Sequence, residues 1–250
     1  MTIPEFSSEF DILYNNITSS QSPGLDEYEK SVFLTREEEN IVTALYTGAD
    51  SYGGFELTEQ MRRCLDSLLV DDTLLPVTED TTHIVPGSNI FSLPEKLWYI
   101  VYEAAGYGSD SNVKDCIKSD TAAFPVEVVP VTYDEFHRIK KDPFRGPNQR
   151  RALRLDAGTF SVALQNSDTG EQSVIHLRNV EIVSQAPLGR YYVKYIRHPK
   201  PIILADLDGV TINNESAQSD RCELHESLHR IILDSAVKAA KNSLAGGGPG

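Results

Sequence analysis

The stretch at residues 151–206, RALRLDAGTFSVALQNSDTGEQSVIHLRNVEIVSQAPLGRYYVKYIRHPKPIILAD, decides the fold class of this 250-residue chain. NSDTGE at 166–171 has the composition of a hairpin turn. No segment long enough for a crossover helix separates the flanking runs, although parallel neighbours need one. We therefore predict an antiparallel β meander or small sandwich. Its strands correspond to apolar or alternating runs at 151–156, 159–165, 172–178, 180–184, 190–197 and 202–206.

The preceding stretch also indicates strands. Short apolar runs broken by Pro and Gly occupy 73–131, and LWYIVYEAA at 97–105 is the longest of them. Thr132 and Glu135 form a capping box, in which a hydroxyl and a carboxylate satisfy free amides at the start of a helix. We predict mixed strands and a short helix over 73–141, followed by a basic loop at 142–150.

Helical spacing marks both ends of the chain. Thr35 and Glu38 resemble a second capping box, which predicts a helix over 36–47 that packs on another helix near 57–70. A final helix is predicted over 223–244, before a flexible tail at 245–250. Its apolar face would comprise Leu224, Leu228, Ile231, Ile232 and Ala239.

The first 34 residues are polar and are predicted to form an extended N-terminal arm. We expect its apolar residues Phe10, Leu13 and Tyr14 to anchor it on a partner. Residues 35–244 would then form a single α+β domain. That domain would contain a helical pair at 35–70, the mixed strands and short helix at 73–141, the basic loop, the β meander and the C-terminal helix.

Composition indicates a folded, soluble protein, because 40% of the residues are hydrophobic and 24% are charged, and the cysteines indicate a reducing cytoplasm. The longest apolar run is 97–102, far below the roughly twenty residues that a membrane span needs. The first basic residue is Lys30, so we expect no signal or transit peptide. Cys64, Cys116 and Cys222 are odd in number and widely spaced, which fits neither a disulfide framework nor a paired-cysteine zinc site.

Charge is distributed very unevenly. Residues 1–137 carry 25 acids and 7 bases, residues 155–250 carry 11 and 9, and residues 138–154 carry 7 bases and 1 acid. An acidic chain is repelled by nucleic-acid backbones, so general DNA binding is not expected. The segment 138–154, which we call the basic island, would face RNA, its own acidic half, or the acidic surface of an adjacent copy. For that last case we expect interface contacts from Arg145, Arg150, Arg151 and Arg154.

A possible phosphatase motif lies in PIILADLDGVTI at 201–212, which matches the first motif of haloacid dehalogenase phosphatases. Asp206 would attack phosphorus and Asp208 would handle the leaving-group proton beside Mg²⁺. Only 42 residues follow Asp208, too few for the parallel sheet and the downstream lysine and acidic pair of that family. We favour a strand that runs into a turn at Gly209.

A possible zinc motif is HESLH at 225–229, an H-E-x-x-H sequence on a predicted helix. The spacing would align two imidazoles, with Glu226 beside a zinc-bound water. No third ligand follows, because Ile232 and Ser235 stand where a metzincin has Gly and His. We favour a packing role for this helix, and predict no catalytic, cofactor-binding or metal-binding residue.

Four stretches carry a family resemblance: 11–39, 130–156, YYVKYIRHPKPIIL at 191–204 and CELHESLHRIILDSAVKAAK at 222–241. They resemble structural proteins of the crAss-like phages, short-tailed viruses of gut Bacteroidales. The resemblance spans nearly the whole chain and implies a ring protein of the head-to-tail connector, stacked below the portal.

This resemblance implies a non-enzymatic, homo-oligomeric, twelve-fold ring that contacts the portal protein and other connector or tail ring proteins. DNA would pass through its lumen without specific binding, which suits an acid-rich chain. Its location would be the virion, and the host cytoplasm during assembly. Two alternatives stay open: a metal-dependent hydrolase that uses HESLH or DLDG, and an RNA-binding phage regulator that uses 137–154.

Overall fold

The chain has a mixed α+β fold in two compact units. The helical unit comprises Met1–Leu69 and His198–Gly250, and the sheet unit comprises Val70–Arg197. The prediction of one domain over 35–244 stays a prediction. The computed structural model describes residues 1–15, 24–48, 59–77, 85–108, 125–165, 172–206, 211–213, 215–216 and 221–245. The predicted turn at 166–171 and tail residues 246–250 lie outside these ranges.

Helices and strands alternate irregularly along the described residues. The helices are α1 (Ile3–Asn15), α2 (Glu27–Thr47), α3 (Glu59–Leu65), α4 (Tyr133–Ile139) and α5 (Glu226–Ala245). The strands are β1 (Leu69–Leu74), β2 (Asn89–Leu93), β3 (Leu97–Tyr107), β4 (Val126–Pro130), β5 (Arg151–Gln165), β6 (Gln172–Val183), β7 (Leu188–Arg197), β8 (Thr211–Ile212) and β9 (Glu215–Ser216).

The N-terminal segment is helical, so the prediction of an extended arm over 1–34 is wrong. Phe6, Phe10 and Tyr14 recur at four-residue spacing and are buried on one face of α1. That face packs α1 against α5 and α2. The polar composition hid this amphipathic pattern, because three aromatic side chains suffice to bury a helix of this length.

α2 begins at Glu27 and not at residue 36, so Thr35 and Glu38 do not form a capping box. The real box is formed by Asp26 and Glu29, whose side chains accept from each other's backbone amides at 2.7 and 3.1 Å. Glu38 lies within the helix and is fully buried, where its carboxylate accepts a hydrogen bond from the Cys222 thiol at 3.1 Å.

The segment predicted as a strand at 202–206 contains a single bridge residue, Ile203, and forms none of the named strands; its backbone bonds to α2. Two hydroxyl groups one turn apart on α2 accept hydrogen bonds from backbone amides of this segment. Thr35 Oγ1 accepts from the Ile202 amide at 3.1 Å, and Ser31 Oγ accepts from the Leu204 amide at 3.0 Å. These buried bonds satisfy two alternate amides of this apolar segment.

The sheet unit contains a seven-stranded sheet in the order β1-β7-β3-β4-β5-β6-β2. β5 and β6 form a long antiparallel pair, but β7 lies on the other side of β4 and pairs with β3. The predicted meander over 151–206 is therefore wrong beyond the β5–β6 hairpin, and the two runs predicted at 151–156 and 159–165 form the single strand β5. Two runs predicted separately, 172–178 and 180–184, also form one continuous strand, β6.

One strand pair is parallel, which the sequence analysis did not expect. β4 pairs with β5 in parallel, and α4 lies in the connection between them. The predicted start of α4 is confirmed, because the Thr132 hydroxyl accepts from the Glu135 amide at 3.2 Å. Phe136 and Ile139 of α4 pack beside Leu153 of β5, so the helix covers part of the sheet.

Candidate assembly surfaces

The basic island runs from α4 through a tight loop into β5, and side chains within the loop fix its backbone. Asp142 Oδ1 accepts from the amides of Phe144 at 2.8 Å and Arg145 at 3.3 Å. The Gly146 amide donates to the Asp142 carbonyl at 2.7 Å. Arg151 Nη1 donates to the Phe144 carbonyl at 3.0 Å. The loop is therefore a defined structure on the surface of the sheet unit.

Gly146 is required by the close approach of this loop to the end of α4. A Cβ atom there would lie 2.6 Å from the Asp142 carbonyl oxygen and 2.8 Å from that of Ile139. Both neighbours are backbone atoms, so neither can rotate away. Pro143 and Pro147 flank this turn and restrict φ at two more positions.

Three of the four arginines proposed for an interface pair with carboxylates of the same unit, and two of these pairs are at the surface. Arg145 Nη2 lies 3.2 Å from Glu135 Oε1, and Arg151 Nε lies 3.6 Å from Glu127 Oε2. Arg145 is exposed, Arg151 is half-buried, and Arg150 beside it is exposed. Contact of these arginines with an adjacent copy stays a prediction. The loop of the basic island holds their backbone in a defined position.

Arg154 is separated from this surface. Its Nε lies 2.8 Å from Glu103 Oε2, and the two side chains are only 12% and 9% exposed. The Tyr191 hydroxyl donates to the same carboxylate oxygen at 2.7 Å. Burial, and next the negative charge of Glu103, raise the pKa of Tyr191, so its hydroxyl keeps its proton. Arg154 therefore stabilises the sheet instead of presenting charge to a partner in this structure.

Sequence reasoning missed this buried network, although β3 carried a signal. Glu103 is the single charged residue in LWYIVYEAAGY at 97–107. A carboxylate within such a strand needs a buried cation or hydrogen-bond donor. The partners come from β5 and β7, and the strand order that brings them together was not predicted.

The predicted anchors of the N-terminal segment pack inside the chain's own helical unit. Phe10 and Tyr14 are buried with ring centroids 6.1 Å apart, and Leu13 is half-buried. Lys241 Nζ of α5 donates to the Leu13 carbonyl at 2.7 Å. Contact of these three side chains with a partner stays a prediction.

A buried lysine fastens α1 to α2. Lys30 Nζ lies 2.8 Å from Asp11 Oδ2 and 3.0 Å from Glu27 Oε1, and Ser7 donates to the same Glu27 oxygen at 2.9 Å. Burial alone would lower the pKa of Lys30, but the bonds to Asp11 and Glu27 raise it above its ordinary value. The sequence analysis treated Lys30 only as the first basic residue.

The HESLH motif does not present two imidazoles on one helical face, because α5 begins at Glu226 and His225 precedes it. His225 and Glu226 are exposed, whereas His229 is buried. His229 Nε2 lies 2.9 Å from the Leu224 carbonyl oxygen, and its ring centroid lies 5.5 Å from that of Phe6. Burial lowers the pKa of His229, so the neutral imidazole is favoured. These contacts describe a packing residue.

Asp206 of the other motif is exposed, while Asp208 and Gly209 lie outside the described residues. Within the described ranges, no group of three or more His, Cys, Asp or Glu side chains is arranged to hold a metal ion. Cys64 and Cys222 are free thiols in buried positions, and Cys116 falls in a range that is not described.

Among the described residues, no helix combines the length and apolar character needed to cross a membrane.

Comparisons with known proteins identify one family along almost the entire chain. The family model for phage tail ring protein 3/4 of crAss-like phages matches residues 1–247. Ring protein 3 of Bacteroides phage crAss001 is 36% identical over 243 residues, which cover 96% of this chain and 95% of the relative. Ring protein 4/5 of the same phage is 32% identical over 255 residues, covering 98% and 94%.

Proposed function

The chain belongs to the phage tail ring protein 3/4 family of crAss-like phages, and from this premise we propose that it forms a homo-oligomeric ring in the head-to-tail connector. Membership of this family supports a role as a virion ring protein. The main support for the proposal is the match of the family model over residues 1–247. In the proposed connector, a twelve-fold ring lies below the portal and joins it to the tail. The subunits pass through the host cytoplasm before assembly.

The proposed role is structural and not enzymatic. The ring surrounds the channel through which DNA passes, and it does not bind DNA specifically. A net charge of −14 supports this role, because an acidic lumen repels phosphate and leaves the genome free to move. The buried His229 and the exposed, separate His225 give no support to the alternative of zinc hydrolysis.

Neighbouring subunits meet, in this proposal, through the basic island of one copy and an acidic surface of the next. Arg145 and Arg150 are exposed, and Arg151 is half-buried, so these three are placed to contribute. Guanidinium groups form bidentate pairs with carboxylates, which favours specific closure of a ring. Arg154 contributes indirectly, by holding β5 through Glu103.

A partner contact through the N-terminal segment requires α1 to move. Phe10 and Tyr14 are buried in the helical unit, so only Leu13 of the three proposed anchors has partial exposure in this arrangement. Exchange of α1 between neighbouring copies would reconcile the burial of Phe10 and Tyr14 with a partner contact. Each copy has the same binding site for α1, so the helix of one copy can occupy the site of the next.

Quantitative mass spectrometry of purified virions tests the proposal. We expect this chain at a copy number equal to that of the portal protein, with a phage-encoded replication enzyme as the contamination control. The purified chain, supplied with Mg²⁺ or Zn²⁺, should hydrolyse neither phosphoesters nor peptides above the buffer rate. Absence from particles, or metal-dependent hydrolysis lost on changing Asp206 or His229, would overturn the proposal.

A further inference from the structure

Phe144 stands at the tip of the basic island and is 85% exposed. No other large hydrophobic residue in the described ranges is as exposed, and Leu75 follows at 68%. Single exposed apolar residues are common on protein surfaces, so exposure alone does not indicate function. The way in which the loop holds Phe144 is more informative.

Both backbone groups of Phe144 are bonded within the loop. Its amide donates to Asp142 Oδ1 at 2.8 Å, and its carbonyl accepts from Arg151 Nη1 at 3.0 Å. Gly146 allows the close turn that follows, where any Cβ would strike backbone oxygens. The aromatic ring is therefore presented by a backbone that has little conformational entropy left to lose on binding, which favours affinity.

Charge indicates which surface this ring meets. The basic island has a formal charge of +6. Four of its arginines pair with carboxylates of the same unit, whereas Lys140, Lys141 and Arg150 are exposed and supply the charge available to a neighbour. The helical unit carries 20 acids and 9 bases, the larger negative balance of the two units. In a ring of identical copies, a basic patch of one copy meets a different patch of the next, so this acidic unit is the complementary surface.

We infer that Phe144 is the apolar anchor of the contact between neighbouring copies, buried against the helical unit of the next subunit. This inference rests on the proposed ring function and assigns different roles within the basic island. Arg151 positions the loop, the surrounding cations pair with carboxylates of the neighbour, and Phe144 supplies the desolvated centre of the contact. Aromatic residues at the centre of an interface typically dominate its binding energy.

Sedimentation velocity of the full chain tests this anchor. We expect Phe144→Ala to raise the dissociation constant of self-association at least about tenfold while leaving the melting temperature unchanged. Leu75→Ala is the matched control, since it also truncates an exposed apolar side chain of the sheet unit. Phe144→Leu should retain most of the affinity, because it keeps an apolar side chain at the tip.

Photo-crosslinking identifies the surface that covers the ring. With p-benzoylphenylalanine in place of Phe144 and a mixture of light and heavy copies, we expect cross-links between copies to peptides of the helical unit. Cross-links confined to one copy, or only to another virion protein, would overturn the inference. If the Phe144→Ala variant forms rings as well as the wild-type chain does, the assignment of Phe144 as the anchor is overturned and the ring function stays intact. A chain that is absent from virions and stays monomeric would overturn both.

Discussion

Arg154 of β5 and Glu103 of β3 form an ion pair across β4, which lies between these two strands in the sheet. Both side chains are largely buried, and the Tyr191 hydroxyl bonds to the same carboxylate oxygen. Three strands are thus tied together by one carboxylate. The pair therefore fixes the frame from which the basic island projects.

Breaking this pair should be costly. We expect Arg154→Met to lower the free energy of unfolding by about 3 kcal/mol, because Glu103 would remain buried without its cation. Arg145→Met, which removes an exposed pair with Glu135, should cost less than about 1 kcal/mol. Urea denaturation of the purified variants measures both values, and equal losses would contradict a buried role for Arg154.

Two adjacent isoleucines on α5 should differ strongly in how much an aspartate substitution reduces the stability of the fold. Ile232 is fully buried, whereas Ile231 is 49% exposed, although the sequence analysis placed both on the apolar face. Ile232→Asp should abolish cooperative folding, since it buries an unpaired charge. Ile231→Asp and Glu226→Gln should each change stability by less than about 1 kcal/mol. Circular dichroism melting curves separate these outcomes, and a folded Ile232→Asp variant would refute the packing of α5.

His229 should make stability depend on pH. Its pKa is lowered in the folded state by burial, so the unfolded chain binds the proton more readily. The free energy of unfolding should therefore decrease as the pH falls through about 6.5, the ordinary value for histidine. His229→Gln should flatten this dependence between pH 7.5 and 5.5, whereas His225→Gln, at an exposed site, should retain it. Identical slopes for the two variants would exclude His229 as the source.

The charge of the basic island should control assembly. Arg150→Glu combined with Lys141→Glu changes two exposed cations of the island and keeps the bond from Arg151 to the loop, so the chain should stay folded but self-associate more weakly. High salt should also weaken the wild-type assembly, because exposed pairs are screened. Lys96→Glu with Arg190→Glu makes the same charge change at exposed positions of the sheet unit outside the basic island, and serves as the control. Light scattering at two salt concentrations measures association. Equal association of both double variants would show that Lys141 and Arg150 do not lie in the interface.

Local signals in the sequence predicted local structure well. The Thr132 cap and the strand at 97–105 were predicted correctly, because each depends on residues that are close in sequence. The cap needs a hydroxyl three residues before a free amide, and the strand needs a continuous apolar run. The pair Thr35 and Glu38 has the same spacing but lies inside α2, where Thr35 bonds to the distant Ile202. Only tertiary contacts distinguish these two cases.

Strand order was beyond the reach of such signals. Nothing local to β7 indicates that it pairs with β3 instead of β6, and the parallel pairing of β4 and β5 depends on where α4 packs. The charge of the basic island was evident from composition, but the sequence did not show that Arg154 points to Glu103 or that Phe144 forms the exposed tip. Those facts follow from the fold of the loop and the sheet.

An electron cryomicroscopy reconstruction of the head-to-tail region of purified virions would show whether this chain forms the connector ring. We expect a closed ring of copies of this chain around the DNA channel, with Phe144 of each copy covered by the helical unit of the next. Connector density that is fully explained by other proteins, with no copy of this chain in a ring, would contradict it.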